Sequence, residues 1–211
     1  MRRFLIVCWL LAPVAAGAYH FGPGQDRMIL DDAAAEIERA QELAATAQAV
    51  TEADGDDAAR EAWAEAAEAY EDALQALPDD RVSESRRMRL ELAKAKMHIS
   101  KLPQANSDLQ SLVQELREDA DADEKLATDA QDALANSQYY MTWLLRLEGK
   151  GRERWEPEIE SARQLYKQLA AQAQAAGDTD GYERLQKDLE SSIRLARMNL
   201  DELQGLPLPG Q

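Results

Sequence analysis

Cysteine is nearly absent from this chain: Cys8 is the only one. It lies inside an apolar run and can form no internal disulfide. It also stands too early, with no small residues before it, for a lipidation site. Packing alone must hold the folded body together. Histidine occurs twice. His20 belongs to the N-terminal segment, and His98 lies in a basic stretch beside Lys94 and Lys101, whose charges discourage a bound cation. Without usable cysteine, transition-metal ligation of the usual kinds is not expected. The acidic clusters ADGDD (53–57) and DADAD (119–123) do not fit a calcium loop. The second has no turn glycine in register, and the first lacks the glutamate at the twelfth position. Both read as solvated helix caps. No phosphate-cradling glycine loop and no Gly-x-Ser-x-Gly elbow occurs. The expectation is a protein that is not an enzyme and carries no metal or cofactor.

Phenylalanine occurs only twice, and alternating runs rich in Val, Ile and Thr are missing. That absence excludes a substantial sheet and points to an all-α protein built on Ala, Leu, Glu, Gln, Asp and Arg. The 211 residues suffice for one domain with a continuous core. A net charge of −16 excludes nucleic-acid binding through the whole surface, because a polyanion is repelled before contact. The charge is unevenly placed: −14 over residues 26–80, +5 over 81–103, −7 over 104–149. The basic stripe, which includes Arg86, Arg87, Arg89 and Lys94, has two readings. Its cations pair with neighbouring acidic helices, or they form a docking surface for an acidic partner.

At the N-terminus, Arg2 and Arg3 precede an apolar run of 15 residues, 4–18. At ~1.5 Å per residue this falls short of the ~30 Å hydrocarbon core. It reads as an export signal, with Ala16-Gly17-Ala18 allowing cleavage before Tyr19. Retention as a membrane anchor stays open if Tyr19, His20 and Phe21 reach the interface, in which case membrane contact runs through residues 4–21 only. Either way the body is expected on the extracytoplasmic, periplasmic side. The domain reading is therefore a signal or anchor with a Gly/Pro linker at 1–25, a helical domain at 26–204 and an irregular tail at 205–211.

After Gly22-Pro23-Gly24, read as a break, apolar residues recur at helical spacing in seven stretches: 30–50, 58–77, 83–102, 104–118, 124–148, 157–176 and 182–203. Pro157 is expected in the first turn of the sixth. Helices joined by such short turns lie antiparallel to their neighbours.

Within EAWAEAAEAYEDALQALPDD (61–80), Ala66, Tyr70, Ala73 and Pro78 stand at spacings of four, three and five. Small residues let helices approach, the aromatic fills the gap between them, and proline ends the helix. This resembles the second helix of a tetratricopeptide repeat. In KLPQANSDLQSLVQEL (101–116), Ala105, Leu109 and Leu112 repeat the four-then-three spacing. The match departs from the family pattern in two ways. VTEADGDDAARE (50–61) stands where the first helix of the unit should be, and Ala66 to Ala105 is 39 residues against the family's period of about 34. The resemblance covers roughly 31–118, and beyond it only the hairpin architecture continues. It implies a short right-handed solenoid of about seven helices whose concave face holds a peptide or a partner's helix. A plain helical bundle remains open from the residues alone.

The aromatic stretch QYYMTWLLRLEG (138–149) covers nearly every face of its helix. Tyr139, Tyr140, Trp143 and Trp155 lie either on a central helix packed from both sides or in a partner groove rimmed by Arg146, Lys150, Arg152 and Arg154. The sequence thus points to a non-catalytic adaptor or scaffold in the cell envelope, with envelope or membrane proteins as partners. Its contact regions would be 86–101 and 139–155. The rival reading is a self-associating helical spacer with no peptide ligand.

Overall fold

The structure, a computed structural model, describes residues 23–199, 202 and 203. The expected export segment with Cys8, His20 and the cleavage point after Ala18, and the expected tail 205–211, lie outside the described residues. Among the described residues there are seven helices and no strand: α1 (Pro23–Asp54), α2 (Asp56–Ala76), α3 (Val82–His98), α4 (Leu102–Glu118), α5 (Glu124–Leu147), α6 (Arg152–Ala176) and α7 (Thr179–Arg197). None of these is long and apolar enough to cross a membrane.

The punctuation between helices is local chemistry. Gly55, at φ 87°, breaks α1 from α2 in a single residue, a conformation that a Cβ disfavours. The Asp123 carboxylate accepts from Leu126 N at 2.9 Å and caps α5, while Asp178 accepts from Gly181 N and caps α7. Gly177, at φ 75°, closes α6 in the left-handed region.

Three expected boundaries are corrected. Pro23 and Gly24 do not form the expected break: Pro23 is the first residue of α1, where its missing N–H costs nothing and its fixed φ is already helical. α3 ends at His98, not at 102. The Pro103 ring bars a helix running through 99–103, and the chain turns at Ile99–Lys101, with Ser100 at φ 63°, before α4 takes Pro103 into its first turn. Pro157 lies inside α6, not in its first turn, because α6 starts at Arg152. That extra turn lets Trp155 pack on the apolar cluster at the C-terminal ends of α5 and α7. Pro157 and Glu153 are both exposed, so water can partner the Glu153 carbonyl that the proline leaves without a donor.

Each helix packs on its successor in the chain, and α3 also touches α5. One core joins α1, α2 and α3 through small residues, Ala40, Ala47, Ala59 and Ala66, around Trp63 and Tyr70. A second runs from α3 to α7 around Leu90, Leu109, Leu112, Leu134, Tyr166 and Leu169. α3 belongs to both: Met88, Leu92 and Ala95 face the first, Leu90 and Ala93 the second. Ala66, Tyr70, Ala73, Ala105, Leu109 and Leu112 are all buried, and Pro78 lies in the turn that follows α2.

Candidate functional site

A cleft of about 880 Å³ opens between the side of α2, the C-terminal half of α3 and one face of α5. Three stripes at helical spacing build it. α2 supplies Asp56, Arg60, Trp63 and Tyr70; α3 supplies Glu91, Lys94, Met97 and His98; α5 supplies Asp129, Asp132, Asn136, Tyr140, Trp143 and Leu144. On α5 the steps of three and four put every one of these on a single face, so local periodicity alone aligns them.

The cleft wall is held by contacts across three helices. The Trp63 indole Nε1 donates to Thr51 Oγ1 at 2.8 Å, and its ring stacks on the His98 imidazole. His98 Nδ1 lies 3.2 Å from Asp56 Oδ1. On the opposite wall Tyr166 donates from its hydroxyl to Asn136 Oδ1 at 2.9 Å, which fixes the amide that faces the cleft. Burial, with Glu91 nearby, pushes the Tyr70 hydroxyl up to about 12. Burial also raises Tyr139 and Tyr140, the latter helped by Tyr139 and by the carboxylates of Asp56 and Asp188. The raised values keep these phenols neutral near neutral pH.

The residues singled out in the sequence separate into distinct places. Lys94, Tyr140 and Trp143 line the cleft. Arg86 instead lies in a seam between α3 and α4, its side chain only 11% exposed, with Nε 2.8 Å from Glu115 Oε1 and Nη1 on Asp119. Arg89 reaches the other oxygen of Glu115 at 2.6 Å, and the exposed Arg87 lies 3.6 Å from Asp123. The Arg86 guanidinium holds both Glu115 and Asp119 below the usual carboxylate range. Tyr139 and Trp155 pack on the cluster of Trp143, Ile159, Leu195 and Leu203. Arg146 is buried there and donates to the carbonyls of Leu195 and Met198, with its guanidinium carbon 4.8 Å from the Trp155 ring centroid. Arg152 is exposed at the start of α6 and paired with Glu156 at 2.6 Å. From Tyr139 to Leu147 no side chain is fully exposed, as expected of a helix packed from both sides.

Sequence reading missed Trp63, His98, Asp129, Asp132 and Asn136 as members of one surface. The α5 stripe could have been found from its spacing. The His98–Asp56 contact had no such signal, because the partners are 42 residues apart. Among the described residues no three His, Cys, Asp or Glu side chains gather as metal ligands. No protein-family model matches the chain, and no curated protein matches it significantly.

Proposed function

We propose that this protein is a non-catalytic protein–protein interaction adaptor, binding a peptide or a partner's helix on a surface of stacked helical hairpins. The observation that carries this reading is the cleft between α2, α3 and α5. Its size falls within the roughly 300–1,000 Å³ range of ligand-binding pockets, and aromatic rings with a few fixed polar groups line it. The tetratricopeptide-like arrangement is part of the same proposal. It is supported by packing that runs from each helix to the next, by the additional α3–α5 contact that links alternate helices, and by the buried small-aromatic-small set Ala66, Tyr70 and Ala73. An extracytoplasmic location, tethered or released, rests on the apolar segment 4–18 with Arg2 and Arg3 before it.

The test is a crosslinked pull-down of the full chain, tagged after Gln211, from native membranes, in parallel with the Tyr140→Ala variant. Defined envelope proteins captured by the wild type and lost from the variant support the adaptor. Recovery of the protein only with copies of itself, as an oligomer at micromolar concentration, sinks the adaptor and favours the self-associating spacer.

A further inference from the structure

Five carboxylates line the cleft, Asp56, Asp57, Glu91, Asp129 and Asp132, against two cationic side chains, Arg60 and Lys94. Both cations are already engaged by lining acids: Arg60 with Asp57 at 2.6 Å and Lys94 with Glu91 at 2.9 Å. Asp132 is held by Arg184 of α7 at 3.1 Å, and among the described residues the ion-pair partner of Asp56 is the His98 ring. Asp129, half-buried one turn before Asp132, has no ion-pair partner among the described residues. A concave surface with one sign of charge in excess focuses its field and raises the local concentration of the opposite charge. The same wall carries Tyr140, Trp143 and Leu144 two to four turns further along α5. Of these, Trp143 is buried, while the half-buried Tyr140 and Leu144 offer an apolar contact, and an aromatic face attracts a cation as well.

From this pairing we infer that the occupant of the cleft is a basic peptide segment that also carries an aliphatic or aromatic side chain. Its Lys or Arg is directed at Asp129, and its apolar side chain rests against Tyr140 and Leu144. The inference rests on the adaptor reading and adds the chemistry of the ligand. It also reverses the sign that the cluster of basic residues in the sequence would imply. Arg86 and Arg89 are spent on Glu115, so they do not recruit an acidic partner, whereas the acids of the cleft are left in excess.

The experiment is selection of a phage-displayed random dodecapeptide library on the purified full chain, followed by binding of the enriched peptides to Asp129→Lys, Asp57→Lys and, as a control away from the cleft, Arg152→Glu. The Asp57 side chain is 75% exposed, so its substitution leaves the fold intact even if Asp129→Lys does not. Expected are peptides of net positive charge with at least one apolar side chain. Their affinity should drop tenfold or more in the two cleft variants, stay unchanged in Arg152→Glu, and weaken as salt rises from 50 to 500 mM. Enriched peptides that are acidic or neutral and still depend on the cleft overturn the basic-ligand inference while keeping the adaptor. Failure of any peptide to enrich, or enrichment indifferent to both cleft variants, overturns the two together.

Discussion

Trp63 and His98 stack face to face, their ring centroids 4.3 Å apart and their planes 8° from parallel. The pair ties α2 to the C-terminal end of α3, and the indole N–H extends the tie to Thr51 on α1. Trp63, with Tyr70, therefore fills the aromatic volume of a core whose fully buried neighbours on α1 and α2 are mostly alanines. Trp63→Ala is expected to destabilise the protein by about 3–5 kcal/mol in chemical denaturation, because alanine neighbours cannot collapse into the vacated space. His98→Phe keeps the stack and loses only the Asp56 contact, so it should cost far less. Equal losses for the two variants would refute this account of the stack.

Arg146 is expected to act as a lock on the C-terminal end of α7, not as a surface cation. Its guanidinium satisfies two carbonyls at the negative end of that helix dipole and lies over Trp155, while burial lowers its pKa. Arg146→Ala should lose about 2 kcal/mol of stability, since hydrogen bonds to a charged group are removed and the carbonyls remain buried. Arg146→Lys should restore only part of it, because an ammonium cannot fork to both carbonyls and the ring. The measurement is urea unfolding followed by Trp fluorescence. A fully stable alanine variant would mean that the end of α7 is not held this way.

The ion-pair seam should give the protein a defined acid sensitivity. Arg86 depresses Glu115 and Asp119 through direct hydrogen bonds. A carboxylate whose folded pKa is depressed stabilises the fold above its unfolded pKa, and that stabilisation is lost as the pH falls through the folded value. Arg86→Met should therefore lower the melting temperature by several degrees at neutral pH and by progressively less below the ordinary carboxylate range. A gap between variant and wild type that persists unchanged at pH 2 would contradict the ion-pair origin.

Glu158 carries the opposite sign. Burial on α6 raises its pKa, only partly offset by the Asn106 amide that donates to it at 3.4 Å. An acid with a raised folded pKa destabilises the fold when ionised, and stability recovers as the pH falls through that raised value. Glu158→Gln keeps the contact with Asn106 and removes the buried charge. It should melt higher than wild type at neutral pH, with the difference vanishing in acid, where Glu158 is protonated in both states. A variant less stable at pH 7 would show that the carboxylate has another role.

The parts of this molecule that were legible in its sequence are those decided within one turn of backbone. Alanine-rich amphipathic stretches make helices whatever surrounds them. Gly55, Asp123, Asp178 and Gly177 end or begin helices through their own conformational freedom or side-chain oxygens, so the count and order of helices follow from local chemistry. The burial of Ala66, Tyr70, Leu109 and Leu112 likewise follows from periodicity, which says that a face is covered. Periodicity does not say by what. The pairing of Arg86 with Glu115, of His98 with Asp56 and of Arg146 with Leu195 spans 29, 42 and 49 residues, and each required helices to pack in one particular order. Packing also decided that Pro157 would lie inside a helix, because burying Trp155 against α5 and α7 favoured an extra turn before it. Most of all it decided the charge balance of the candidate site: Arg86 and Arg89 of α3 face Glu115 of α4, while the cleft lining carries five carboxylates against Arg60 and Lys94.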